Sequence, residues 1–341
     1  MALCVWLAFS VAVQANTIVV SGSIQAAVDS AKPGDRIMVP TGTYKENVLV
    51  TKDNLTIQGA SDATLDGKGL TGTSGIKVAA ASGRINGFSL SGMTIKNYTE
   101  NGVLLQAVDK FRIVHGTYIN NKEYGIFPVE SSQGLVAFNN VSGSNDTGIY
   151  IGQSKNVEVS GNYAWSNTSG YEVENSSNVR VLHNIGFGNT VGLAVFVLPG
   201  LSVPATTNVQ VADNLFSNNN RPNPVTDPRE PLSLVPSGVG ILIVAADKVV
   251  VTRNAIIQNN TAGIAMVRLP ESLSNLDPRV NPLPDQNHIV RNVSMQNATK
   301  PDPKYPQYVP VDILWDNEGS GNCFSGNSFT SQFPPSVPSC Q

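Results

Sequence analysis

Gly102-Val-Leu-Leu, Gly125-Ile-Phe-Pro, Gly148-Ile-Tyr-Ile, Gly170-Tyr-Glu-Val and Gly192-Leu-Ala-Val start 23, 23, 22 and 22 residues apart. The pattern resumes at Gly240-Ile-Leu-Ile and Gly263-Ile-Ala-Met, again 23 apart. Second runs follow: Phe111-Arg-Ile-Val, Val157-Glu-Val-Ser, Val179-Arg-Val-Leu, Val209-Gln-Val-Ala and Val249-Val-Val-Thr. An asparagine comes next: Asn140, Asn162, Asn184, Asn214, Asn254 or Asn292. Apolar and polar residues alternate within the runs, the signature of a strand with one buried face. No helical stretch separates them. Short strands repeating at this period bury their apolar faces only by stacking coil upon coil, so the chain reads as all-β, a single-stranded parallel β-helix. Asparagine suits the repeated turn, because it tolerates left-handed backbone and its amide bonds from coil to coil.

Composition agrees with a stable fold. Of 341 residues, 41% are hydrophobic and 14% charged, which excludes a disordered chain. A net charge of −3 gives no basic footprint, so nucleic acid is not an expected partner. No apolar run approaches the about 20 residues of a membrane span. Residues 3–13 form a shorter apolar run ending in Val13-Gln14-Ala15, the pattern of a signal peptide over 1–15 and of a secreted, extracellular product. Residues 16–341 then make one domain, expected to be a monomer. Cleavage leaves Cys323 and Cys340, which read as one disulfide closing the tail 318–341, worth about 3 kcal/mol. Nine Asn-x-Ser/Thr sequons, at 54, 97, 140, 145, 167, 175, 259, 292 and 297, fit a secreted glycoprotein.

An open solenoid end needs a cap. Ile24, Ala27, Val28 and Ala31 form one helical stripe between Ser23 and Pro33-Gly34, predicting a capping helix over about 23–31. This segment, with Gly42-Thr-Tyr-Lys-Glu-Asn-Val and Leu55-Thr-Ile-Gln-Gly, resembles the entry of pectin-lyase-like β-helix proteins. That resemblance implies a right-handed β-helix and points to carbohydrate chemistry. The signature motifs of pectinesterases, polygalacturonases, alginate epimerases and pectate lyases are missing, so no catalytic residue carries over.

Four Pro-rich insertions, at 198–207, 220–236, 268–285 and 298–310, interrupt the coils. Each precedes or follows a Gly-x-x-x strand, so they wall a groove over one sheet. Alternation turns Tyr171 and Val173 inward and Glu172 and Glu174 outward, about 6.6 Å apart, with Tyr150 one coil below Glu172. Carboxyls about 5 to 9.5 Å apart serve as acid and base in glycosidic cleavage, and proximity raises one pKa. Tyr150 is the matching proton carrier for β-elimination. Phe127 and Phe196 offer sugar-stacking faces, and Arg221, Arg229 and Arg268 on or beside the loops offer substrate contacts. No cofactor is called for, and the outward positions supply too few carboxylates for Ca²⁺. Three His and two mature Cys assemble no zinc-type cluster. His115 and His183 read as turn residues, and Glu158 and Arg180 as a surface ion pair. The expected protein is a secreted polysaccharide lyase or glycoside hydrolase acting on a polysaccharide or oligosaccharide. A non-catalytic glycan-binding or structural β-helix is the alternative.

Overall fold

The computed structural model describes residues 15–306 and 309–341. The expected signal peptide therefore lies, up to residue 14, outside the described residues. From Thr17 onward the chain winds as a right-handed parallel β-helix with three long sheets. The first has twelve strands, from Thr17–Val19 to Cys323–Ser325. The second has eleven, from Gly42–Tyr44 to Ser328–Phe329, and the third eleven, from Val48–Val50 to Gln332–Phe333. The Gly-x-x-x segments all fall on the third sheet, with Ile149 beside Tyr171 and Tyr171 beside Leu193. Ile126, Ile149, Val173, Val195 and Ile264 are buried in the shared core, as alternation requires.

The glycine period is steric in origin. A Cβ on Gly148 would lie 2.8 Å from the Gly170 carbonyl oxygen and 2.9 Å from the Asn167 amide nitrogen. One on Gly170 would meet the Gly192 oxygen at 2.6 Å and the Asn189 amide at 2.9 Å. Successive coils touch backbone to backbone here, and no side chain fits between them.

Both asparagine contacts belong to a ladder. Between the first and second sheets, the side-chain amides of Asn139, Asn162, Asn184, Asn214, Asn254 and Asn292 each donate to the next asparagine's Oδ1, ending at Asn327, over 2.8–3.0 Å. The rung in the lower coil is Asn139; Asn140, read from sequence, is exposed and starts the next strand. A second ladder, unread in the sequence, runs through Asn167, Asn189, Asn219, Asn259 and Asn297 to Asp312 between the second and third sheets. At the third corner Ser131, Ser154 and Ser176 take the same role, each hydroxyl or its successor accepting a backbone N–H from the coil before. Every corner of the triangle thus satisfies its buried backbone groups with side chains. Sequons at Asn167, Asn175, Asn259, Asn292 and Asn297 are consequently buried, and a glycan on any of them is incompatible with this fold.

The helix Ile24–Ser30 lies over the first coils with Ile24, Ala27 and Val28 buried, and the Ala26 N–H donates to the Ser23 hydroxyl as an N-cap. Cys323 and Cys340 are disulfide-bonded. His115 and His183 both hold left-handed turns, at φ 55°, and Arg180 pairs with Glu158.

Asn184 shows what a rung contributes. Its oxygen accepts from the Asn162 N–H and amide, and its amide donates to the Val159 carbonyl and to Asn214. Asn184→Ala orphans several buried groups at about 1–3 kcal/mol each. Urea unfolding should show a loss of about 3 kcal/mol or more, against less than about 0.5 kcal/mol for the exposed Asn140→Ala. Equal, small losses would deny the ladder its structural role.

Candidate functional site

The outer face of the third sheet is where the sequence placed Glu172 and Glu174, and the register is as read. Tyr150 pairs with Glu172, which pairs with Ala194; Gly152 and Phe196 flank Glu174. Their environment differs from the solvated strip that outward alternation suggests. Glu172 is 3% exposed and Glu174 6%. The reason is the four insertions, which fold over the sheet instead of standing beside it.

Strands under this roof are apolar on both faces. In Val239–Val244, Ile241 and Ile243 join the interior core while Leu242 joins an outer cluster with Ala265, Val267 and Leu314. Val197, Ala245, Leu269 and Val280 form a further outer cluster beneath the loops. Between sheet and roof lies a cavity of about 340 Å³. Ala194, Leu242, Ala265 and Leu314 form its floor, and Leu232, Val235, Pro236, Leu269 and Leu273 line its other side. Glu172, Glu174, Asp146 and Tyr124 also line it, along with exposed Glu230. No Lys, Arg or His is among its described lining residues.

Burial governs the acids. Removal from water pushes the Glu174 carboxyl up to about 7, against a stabilising hydrogen bond from Tyr150. Glu172 is driven well above the usual carboxylate range, first by burial and then by the neighbouring Asp146 charge. Asp146 is itself raised by burial, although Thr147 and Tyr124 hydrogen-bond to it. Glu172 Oε1 has no hydrogen-bond partner. A carboxyl in an apolar site that keeps its proton near neutral pH is a ready general acid.

The aromatic residues divide into two groups. Tyr150 and Phe127 pack edge-on with ring centroids 4.8 Å apart, and Tyr124 completes a three-ring cluster at 4.3 Å from Phe127 and 5.1 Å from Tyr150. Tyr150 is buried, with Gln153 Nε2 donating to its hydroxyl at 3.3 Å, so it backs the acids and offers no open stacking face. Phe196 lines the cavity and Phe127 does not. The three arginines stay outside it. Arg221 donates to the Ser166 carbonyl, the 88%-exposed Arg229 side chain pairs with Asp227, and Arg268 sits beside Asp316, whose carboxylate accepts its backbone N–H. Arg221 and Arg229 thus have partners within the chain, whereas Arg268 Nε is buried without a hydrogen-bond partner. Tyr124 and Asp146 were missed because they precede the strands, where alternation makes no statement.

The raised carboxyl gives a stability signature. Ionising Glu174 in the folded chain costs about 3 kcal/mol, because its folded value of about 7 lies above the ordinary 4.5. That contribution is intact below the unfolded value and lost as pH rises through about 7. Glu174→Gln should therefore remove about 3 kcal/mol of the wild-type stability loss between pH 5 and pH 8.5, measured by urea unfolding. Parallel curves for the two proteins would mean an ordinary, solvated carboxylate.

A family profile described as "Periplasmic copper-binding protein (NosD)" matches residues 16–191 and 84–331, in two overlapping passes that reflect the repeat. Copper sites use imidazole, thiolate or thioether donors. Among the described residues no three His, Cys, Asp or Glu side chains converge on a common point. His115 stacks on Phe138, and the two described cysteines are bonded to each other. These residues do not fit a copper ion. No curated protein matches the chain in sequence. Solved structures share its fold. The mannuronan C-5 epimerase AlgE6 A-module of Azotobacter vinelandii superposes with a TM-score of 0.68 at 15% identity, over 89% of this chain and 84% of that one. The DFA-IIIase of Arthrobacter chlorophenolicus A6 gives 0.60 at 16%, over 93% and 80%. The periplasmic alginate epimerase AlgG gives 0.54 at 15%, over 92% and 84%. At such identities the likeness establishes the parallel β-helix alone. The profile, in contrast, spans nearly all of residues 16–331, and the chain belongs to the NosD family of β-helix proteins.

Proposed function

We propose that this protein is an exported carbohydrate-processing enzyme in which Glu174 is the proton donor. One observation carries the reading: Asp146, Glu172 and Glu174 all line one apolar, roofed cavity with no cationic residue among its described lining. Such burial is costly and serves no packing purpose, which is how acid catalysts are set apart from surface carboxylates. Glu174, near 7, gives a proton to a leaving oxygen; Glu172, held protonated, donates a hydrogen bond beside it; Tyr150 orients Glu174. The similarity to epimerases and to a DFA-IIIase supports a saccharide substrate. The disulfide supports an oxidising compartment, in keeping with the periplasmic description of the family. The open strands below the roof, where Phe127 is half-exposed, give a chain of sugars room to approach.

The test is a panel of uronate and neutral polysaccharides, with unsaturated products and reducing ends read separately. Reducing ends alone define a hydrolase, and ultraviolet-absorbing products a lyase. On an active substrate kcat should fall as pH rises past about 7, and Glu174→Gln should lower it about 10²- to 10⁴-fold at pH 6. Full turnover in Glu174→Gln would overturn the assignment. A non-catalytic reading is favoured by one feature, the scarcity of polar groups along the cavity walls.

A further inference from the structure

The walls of the cavity are the part of the site that acid catalysis leaves unexplained. Sugars present hydroxyls all round, and a sugar pocket meets them with polar side chains and backbone. Apart from its acids, Tyr124 and Thr261, this cavity is instead lined by apolar side chains: Ala194, Leu242, Ala265 and Leu314 on one side, Leu232 and Val235 on the other. Four carboxyl-bearing residues line it, with Asp146 and Glu174 beside Glu172, and no Lys, Arg or His among the described lining residues balances them. Glu172 lines this space; its Oε1 is buried without a close hydrogen-bond partner, and the groups that face the carboxyl are the neutral hydroxyls of Ser169 and Thr147, so no positive charge meets it.

We infer that the cavity binds an amphiphilic organic ammonium ion, its alkyl or aryl body along the aliphatic walls and its N–H groups on Glu172. The inference goes beyond the proposed chemistry and concerns binding, whether or not a glycan is turned over. An ammonium group supplies the positive charge that the cluster lacks. A divalent metal is not the occupant, since no three acids converge closely enough to hold one among the described residues. A carboxylate-headed amphiphile would face like charge. The volume suits a chain of about eight carbons, within the range of small-ligand cavities.

Protons stand in for the cation when the cavity is free. Facing Glu172 are Asp146 and Thr147 at the strand beside it, Ser169 and Glu174 on its own strand, and Tyr124 and Tyr150 from the coils below. None of these supplies positive charge. Binding an ammonium ion therefore expels protons from the acids, and affinity rises with pH until the cluster is ionised.

The experiment is isothermal titration calorimetry of the full chain with octylammonium, 1-octanol and octanoate at pH 6 and pH 8. Two buffers of different ionisation enthalpy are used at each pH. Octylammonium should bind at least about tenfold more tightly than 1-octanol, with net proton release, and octanoate more weakly than either. Glu172→Gln, a near-isosteric change, should cost octylammonium at least about tenfold while leaving 1-octanol unchanged. Ala265→Phe, checked for native circular dichroism, should block all three by filling the floor. Octanoate binding as well as octylammonium, no proton release, an unchanged affinity in Glu172→Gln, or no binding by any ligand would each overturn the inference. None of these outcomes depends on catalysis, so a protein that binds octylammonium yet processes no glycan would refute the enzyme reading alone.

Discussion

Stacked asparagine amides are the constraint on which this structure rests. A coil of a β-helix turns three corners, and at each the backbone leaves strand geometry with its N–H and carbonyl groups inside the molecule. Asn162, Asn184, Asn214 and Asn254 meet that demand at one corner and Asn167, Asn189, Asn219 and Asn259 at another. The ladders also tolerate sequence that a sheet interior would not. Asn184 and Asn214 are 30 residues apart and Asn214 and Asn254 are 40 apart, yet the rungs remain 3.0 and 2.8 Å long. Insertions leave between rungs and return to them.

That tolerance creates the site. Both edges of the third sheet release loops, and because the sheet beneath is fixed by glycine close contacts and ladders, the loops have a flat platform on which to pack. Their leucines and prolines cover Leu242, Ala265 and Leu314, and the acids at the margin of the roof are drawn out of water with them. Burial then does to Glu172 and Glu174 what an open groove could not, holding protons on carboxyls near neutral pH. A structural rule about corners thus leads, through loop placement, to acid chemistry.

Most of the fold was legible because repeats expose it. Gly148, Gly170 and Gly192 mark the coil, and alternation in Gly170-Tyr-Glu-Val assigned inward Tyr171 and outward Glu172 as they stand. The burial of Glu172 was not legible from its own strand, since alternation tells which face a residue is on and nothing about what covers that face. A signal was nevertheless present two strands on: Val239–Val244 and Ala262–Val267 are continuously apolar, the mark of a strand buried on both sides. The second ladder escaped because its asparagines sit in the turns before the third-sheet strands, three residues ahead of the glycine at Asn167 and Asn189, outside the strand pattern. Asp146 and Tyr124 escaped for the same reason, and the pairing of Arg229 because a long flexible cation on a loop finds a local partner, here Asp227.

Membership of the NosD family brings a description of copper binding that the side chains here do not match, whereas the acidic cavity is built into the coils themselves. The central claim is that the roof keeps protons on the paired glutamates. Carbon-13 NMR of the side-chain carboxyl carbons, titrated from pH 4 to pH 9 with Glu174→Gln and Glu172→Gln for assignment, tests it most directly. The account predicts one carboxyl titrating near 7 and a second still protonated above it. Both resonances titrating near 4.5 would contradict it, for the acids would then be in water and the roof open.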